Sequence, residues 1–230
     1  MRKRAARWPR SPQELIDEQR RLARQPQPSF SGQDASLGVA GCFVCFPRGY
    51  AGAGAAGDPG WAAAALIEEG QLRSTAVVSG AAGAAYEPGL LALREGSLLE
   101  AAVRALDREP EVLLVNATGR DHPRRAGLAV HLGAILSVAT VGVTNRLLLA
   151  RGDWPEPSRG ARSPFLIEGE VAGYWTCTRS RSRPLAIHAG WGIGPEAAVD
   201  VVLSAIRRAR TPQPLREARY LARQARACAQ

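Results

Sequence analysis

The fold is decided by one stretch of the sequence, Val112 to Gly133, which reads VLLVNATGRDHPRRAGLAVHLG. Its four opening apolar residues predict a short buried strand that ends at the polar Asn116. Residues 117–119 form a tight turn, and Leu128 begins an apolar pattern with helical spacing. A strand followed by a glycine turn and a helix is where an open α/β sheet places its ligands. The stretch therefore predicts an α/β fold with a site at the end of this strand.

Three segments resemble the endonuclease V family. The run from Gly119 to Gly133 is similar to the family signature, whose usual form is close to DGHGxAHPRxxGxAxHLG. Tyr86 to Glu95 is similar to its YxPGxLxFRE segment, and Val39 to Phe46 to its first strand. Order and spacing agree from about Leu37 to Pro214. The resemblance implies a ribonuclease H-like fold, a mixed sheet flanked by helices.

The residues that carry the family's chemistry are largely replaced here. The family hydrolyses a phosphodiester near inosine, with Mg²⁺ held by three carboxylates. Only Glu95 matches one of them, since Phe43 aligns with the first-strand aspartate and Asn116 with the signature aspartate. A family lysine aligns with Asn145 and a later histidine with Trp191. Glu95 is therefore interpreted as a relic of the metal site.

Loss of two carboxylates bears directly on the metal. Mg²⁺ prefers hard oxygen ligands in a near-octahedral array. A phenylalanine offers no lone pair, and an asparagine offers only a neutral carbonyl oxygen. One alternative is a rebuilt site in which Asp121, where the family commonly has alanine, joins Glu95 and Asn116. His122 beside it is then a candidate catalytic residue. Magnesium is the family's cofactor, and we expect it to bind weakly or not at all here.

The base-recognition positions match better than the metal positions. Tyr86 and Pro88 match the segment that, in the family, holds a deaminated base flipped out of its strand, and an aromatic ring suits stacking there. Gly119 and Gly127 match a pocket made largely of backbone, where glycine permits close approach. Leu91 matches an apolar wall. The alternative for Tyr86 is a ring packed over a loop.

Composition sets the remaining limits. The net charge of +9 admits a nucleic-acid partner, although Lys3 is the only lysine among 30 Lys and Arg, a bias that also reflects codon usage. No apolar run reaches membrane-spanning length and no signal peptide is evident, so we expect a cytoplasmic protein that does not contact membranes. The family also suggests a monomer.

Cys42 and Cys45 lie three residues apart in a strand and are expected on opposite faces, which argues against a shared metal ion.

The predicted organisation has two parts. Residues 1–28 form a basic arm and an N-terminal helix that starts at the capping box Ser11 to Glu14, and residues 29–230 form a single endonuclease V-like domain. Glu95 is predicted to begin or precede a helix, and a short helical turn is expected after the strand that ends at Thr144. On the first strand, Phe43 should share a face with Gly41 and Cys45. A basic stripe is predicted on the last helix, at Arg216, Arg219, Arg223 and Arg226.

Three functions are consistent with this sequence. The first, which we favour, is an endonuclease V-like protein that binds RNA or DNA at inosine or another deaminated base, with cleavage weakened or lost. The second is an active Mg²⁺-dependent endonuclease V of DNA repair, cutting 3′ to deoxyinosine or inosine with a rebuilt metal site. The third is a non-catalytic scaffold or protein-partner module that keeps only the fold.

Overall fold

A computed structural model describes residues 8–26, 29–30, 37–49 and 52–229 of the chain. Its helices are α1 (Pro12–Arg24), α2 (Leu91–Arg104), α3 (Leu128–Leu136), α4 (Pro195–Ser204) and α5 (Gln213–Ala229). Its strands are β1 (Val39–Cys45), β2 (Pro59–Glu68), β3 (Gln71–Ala81), β4 (Val112–Val115), β5 (Ala139–Thr144), β6 (Arg162–Ile167), β7 (Glu170–Thr176) and β8 (Leu185–Ala189).

The strands form one 8-stranded sheet in the order β3-β2-β1-β4-β5-β8-β7-β6. The central strands β1, β4 and β5 run parallel, and every other neighbouring pair is antiparallel. The predicted mixed α/β sheet is therefore confirmed. The parallel strands end together at Cys45, Val115 and Thr144, so the loops that follow them meet at one edge of the sheet.

The two faces of the sheet are covered by different helices. Cys42 packs in an apolar cluster with residues of α2 and α3. Phe43 and Cys45 belong to a separate cluster with Ala222 of α5. The predicted alternation along β1 is confirmed, and Cys42 and Cys45 are free, buried thiols on opposite faces.

Several predicted boundaries are wrong for local reasons. Glu95 lies inside α2, because that helix already begins at Leu91, after the left-handed turn at Gly89 (φ +79°). No helical turn follows Thr144 in the described residues, because a buried carboxylate accepts the amide hydrogens that such a turn would use. The fourth helix is predicted to run through Ala209 but ends at Ser204.

The N-terminal helix packs against the domain. Ser11 caps α1 by accepting a hydrogen bond from the Glu14 amide, and Glu14 in turn accepts one from the Arg10 amide. Leu15 and Leu22 are fully buried. The predicted basic arm falls mostly on residues 1–7, outside the described part of the chain. Among the described helices, none is long and apolar enough to span a bilayer.

Candidate functional site

A cavity of about 200 Å³ lies where the loops after β4 and β5 meet the segment before α2. Its walls include Tyr86, Pro88, Leu91 and His122, four residues predicted from the sequence, together with Thr118 at its back. The cavity is smaller than the roughly 300–1,000 Å³ typical of sites for drug-sized ligands, so it suits one flat ring rather than a whole nucleotide. A larger cavity of about 490 Å³, between Trp8 and the start of α2, contains none of the predicted pocket residues.

The carbonyl oxygen of Gly89 holds the upper wall of this cavity in place. It accepts hydrogen bonds from Gln19 Nε2 at 3.1 Å and Arg124 Nη2 at 2.8 Å, and it lies 3.1 Å from His122 Nε2. This one oxygen atom thereby connects helix α1, the loop of residues 119–127 and the segment 86–89. The sequence gives no local signal for Gln19 or Arg124, since their contact is made only in the folded protein.

His122 is neutral in this arrangement. The Arg124 amide donates to its Nδ1 at 3.2 Å, so the proton is assigned to Nε2, which faces the Gly89 carbonyl. Burial, and then the charge of Arg124, lowers the pKa of His122 to about 4. Both ring nitrogens are used to hold the loop, which favours a positioning role for His122 over the predicted catalytic one.

Tyr86 extends from an anchored loop. Its side chain is 51% exposed, and its amide donates to the Ala53 carbonyl at 2.7 Å. The loop before β2 is fixed by a buried ion pair of 2.9 Å between Arg94 Nη2 and Asp58. Arg94 also donates to the carbonyls of Ala55 and Ala84. The ring is thus presented to solvent from a support held by α2, as a stacking platform requires.

Gly119 and Gly127 allow the signature loop to pack tightly beneath the cavity. A side-chain carbon at Gly127 would lie 2.4 Å from the Thr118 carbonyl oxygen, and one at Gly119 would lie 2.1 Å from that of Ala189. Both distances are far inside van der Waals contact, so glycine is needed at each position. Neither glycine lines the cavity itself; together they position Thr118 and Ala117, which do.

Glu95 lies on α2 beside the β1 thiol of Cys42, whose pKa is raised by burial and by the nearby glutamate. Burial raises the pKa of Glu95 to about 7, an effect that the Arg94 charge partly opposes. The carboxyl is therefore about half protonated at neutral pH. Neither Phe43 nor Asn116 supplies a second carboxylate nearby.

Two residues align with family aspartates: Phe43 lies next to two arginines, and Asn116 is exposed to solvent. The guanidinium carbons of Arg219 and Arg223 lie 5.1 and 5.9 Å from the centre of the Phe43 ring. Asn116, the residue after β4, is exposed. The arginines of the predicted basic stripe do not share one exposed face. Arg226 is buried and donates to the Phe46 carbonyl, whereas Arg216 is exposed.

Asp121 has another function in this structure. Its fully buried carboxylate accepts hydrogen bonds from the amides of Leu148, Leu149 and Ala150 at 2.7–2.8 Å. His188 Nδ1 is 3.9 Å away, and burial lowers the pKa of that histidine to about 4. The carboxylate organises the loop after β5, so the structure gives no support to a metal-binding role.

The other two substituted positions are also structural. Asn145 accepts a hydrogen bond from Arg210 through its side-chain oxygen at 2.9 Å. Trp191 packs in an apolar cluster with Leu22 and Val130, and its amide donates to Thr140.

The described residues do not fit a magnesium site. They contain no group of three or more His, Cys, Asp or Glu side chains close enough to share an ion. The Asp121 oxygens accept hydrogen bonds from backbone amides, and two guanidinium groups lie over Phe43. Positive charges at that position oppose a dication, which requires several anionic or neutral oxygens.

Comparisons with known proteins agree with this picture of the fold. A family model described as Endonuclease V matches residues 36–220, which include all four substituted positions and Tyr86, Pro88, Leu91 and His122 of the cavity. The endonuclease V of Methanopyrus kandleri is 38% identical over 214 residues, covering 92% of this chain and 87% of that protein. The crystal structure of endonuclease V from Streptomyces avermitilis superposes with a TM-score of 0.84 at 28% identity, covering 96% of each chain.

A more distant structure shares the fold with a ligand bound. It is the endonuclease V of Ciona intestinalis, crystallised with a 23mer DNA containing an inosine followed by a ribo-adenosine. Its TM-score is 0.76 at 20% identity, and the match covers 96% of this chain and 100% of that one.

Proposed function

The chain belongs to the endonuclease V family, and we propose that within it this protein binds nucleic acid at inosine or another deaminated base, with its cleavage activity weakened or lost. Three of the residues predicted to contact the base, Tyr86, Pro88 and Leu91, line one cavity, which is the observation that carries the proposal. The bound DNA of the Ciona relative contains inosine, which supports a ligand of this class.

The shape of the cavity supports recognition of a single base. A half-exposed tyrosine at its mouth, Tyr86, can stack on a base or fill the space that a flipped base leaves. Leu91 and Leu128 give it apolar walls, and Thr118 adds a polar residue to its lining. Stacking of this kind contributes about 1–3 kcal/mol per base.

The chemistry of the neighbouring positions supports loss of cleavage. Metal-assisted hydrolysis needs an ion that activates water and stabilises charge on the reacting phosphate. Phe43, with two arginines over its ring, and the exposed Asn116 leave Glu95 as the only carboxylate among the three family positions. We therefore expect binding that does not depend on a divalent cation.

Binding is tested with fluorescein-labelled single strands of RNA and DNA that carry inosine or adenosine at one position. Anisotropy is measured in EDTA. We expect tighter binding of the inosine strands, and a loss of about 10-fold or more in that preference for Tyr86→Ala. Tyr220→Ala is the matched control, because Tyr220 is also exposed (58%) but lies on α5. Equal affinity for inosine and adenosine strands contradicts base recognition.

Cleavage is tested with the same strands at excess protein in Mg²⁺ and then Mn²⁺. We expect no product. Cleavage 3′ to inosine contradicts the loss of activity and supports the rebuilt metal site instead. Absence of any strand binding, with a stable protein complex in its place, supports the scaffold function.

A further inference from the structure

The surface around Phe43 carries two positive groups in an unusual setting. The Arg219 and Arg223 guanidiniums lie over one ring at 5.1 and 5.9 Å, a geometry that holds each cation by cation–π attraction. The two residues are one helical turn apart on α5, so both point to the same face. Phe43 is half-buried and Arg223 exposed, which leaves the pair open to solvent on one side.

These arginines lie over the residue that aligns with the family's first-strand aspartate. Parallel pairing of β1 with β4 ends at Cys42 opposite Val115, so Phe43 and Asn116 are the next residues of the two strands. Both positions carry metal-binding aspartates in the family. The two carboxylates are thus replaced by an aromatic ring and a neutral amide, and two guanidiniums stand over the ring.

The charge of the pair is not neutralised within the described part of the chain. No carboxylate lies within 4.0 Å of either guanidinium, whereas Arg94, Arg104 and Arg162 each have one. The Arg219 Nε is buried and has no hydrogen-bond partner. Burial, and then the charge of Arg223, lowers the pKa of Arg219, as expected for a cation that lacks a counter-charge. A pair of cations that lacks a counter-charge favours an anionic ligand.

We propose that the surface over Phe43 is a phosphate-binding site in this protein, where Arg219 and Arg223 contact a phosphodiester of the bound strand directly. This inference rests on the proposed function only in requiring that the chain binds nucleic acid. A guanidinium fork matches the geometry of phosphate oxygens and donates two hydrogen bonds at once. The Phe43 ring orients the forks without competing for their donors. The site holds the backbone and has no means to activate water.

The test measures strand affinity against salt concentration for Arg219→Gln/Arg223→Gln. Each lost phosphate contact lowers the slope of log affinity against log salt by about 0.7 for a single strand. We expect a slope reduced by about 1.4, an affinity loss of at least about 10-fold, and the same loss for inosine and adenosine strands. Binding by the unmodified protein should not change in EDTA.

Two further variants separate charge at this site from general effects. Arg108→Gln removes an exposed arginine near the start of β4, at the opposite edge of the sheet, and should leave the slope unchanged. Arg219→Lys/Arg223→Lys keeps both charges without the fork, so the slope should recover while affinity stays below that of the unmodified protein. Thermal unfolding checks that each variant is folded.

The outcomes distinguish this site from the base pocket. A folded Arg219→Gln/Arg223→Gln protein with unchanged slope and affinity overturns the phosphate site, whatever the preference for inosine. A reduced slope together with equal affinity for both strands supports the phosphate site and contradicts base recognition. Binding that requires Mg²⁺ overturns the phosphate site, because a cation would then occupy the position.

Discussion

Two regions at the same edge of the sheet have changed to different extents. The base pocket, formed by residues 86–91 and 117–128, resembles the family's segments at Tyr86, Pro88 and Leu91, and its walls are joined through the Gly89 carbonyl. The arginine surface, formed by Phe43, Asn116, Arg219 and Arg223, has neutral residues at two positions that align with family aspartates, and two guanidiniums lie over the Phe43 ring. The contrast separates the proposed recognition residues from the positions aligned with the family's metal ligands.

The physical basis of this separation is the number of groups involved. A pocket that fits a base by shape draws on many small contacts, several of them from backbone, and loses little from a single change. A magnesium site depends on a few charged oxygens at fixed positions, and it fails when two of three are lost. A chain can therefore lose the second property and keep the first.

The largest effect, on the free energy of unfolding, is expected from removing Arg94, which supports the loop next to the base pocket. Arg94→Ala removes the guanidinium that forms an ion pair with the buried Asp58, so the free energy of unfolding should fall by about 3–5 kcal/mol. Urea denaturation measures it. Arg104→Ala, on the same helix but in a surface pair with Glu100, should cost no more than about 1 kcal/mol. Similar losses in the two variants would show that the buried Arg94 pair contributes no more to stability than the surface pair of Arg104.

A second effect is expected in the pH dependence of stability, through His131. Burial lowers the pKa of His131 from 6.5 to about 4, while the unfolded chain keeps the ordinary value. The unfolded state thus binds more protons between these values, and stability present above pH 6.5 is lost as the pH falls toward 4, by on the order of 3 kcal/mol. His131→Phe, which keeps a ring against Trp8, should weaken this dependence in denaturation curves measured from pH 4 to 8. An unaltered dependence would exclude His131 as its source.

A third effect compares two glycines that precede helices. Gly127→Ala places a carbon against the Thr118 carbonyl and should cost about 1–3 kcal/mol and reduce inosine preference. Gly194→Ala is the control, since nothing lies within 4 Å of the added carbon at this other helix start. Equal tolerance at both positions would mean that the pocket adapts to the extra atom.

The smallest change is expected from restoring the lost carboxylates alone. In Phe43→Asp/Asn116→Asp the new aspartate at position 43 meets Arg219 and Arg223 and should form ion pairs, so neither Mn²⁺ binding nor cleavage returns. Calorimetry with Mn²⁺ and the inosine cleavage assay measure both. Adding Arg219→Gln and Arg223→Gln should allow Mn²⁺ to bind. Cleavage by the first variant would show that the arginines do not block the metal position.

Local patterns in the sequence predicted much of this arrangement. The two-residue alternation of a strand predicted that Phe43 and Cys45 share a face, and motif order brought Tyr86, Leu91 and His122 to one cavity. The partners of those residues come from distant parts of the chain, however. Arg219 reaches Phe43 and Gln19 reaches Gly89 only through tertiary packing, so no spacing rule predicts them.

The side chain at position 121 limits which substitutions this chain tolerates there. The family commonly has alanine there, but the loop after β5 now relies on Asp121 as acceptor for three amide groups. Removing the carboxylate would leave the buried Ala150 amide without its acceptor, at a cost of about 1–3 kcal/mol. An alanine at position 121 should therefore destabilise this loop unless residues 148–150 change as well. This member of the family is committed to its own loop structure, independently of whether a metal ever returns.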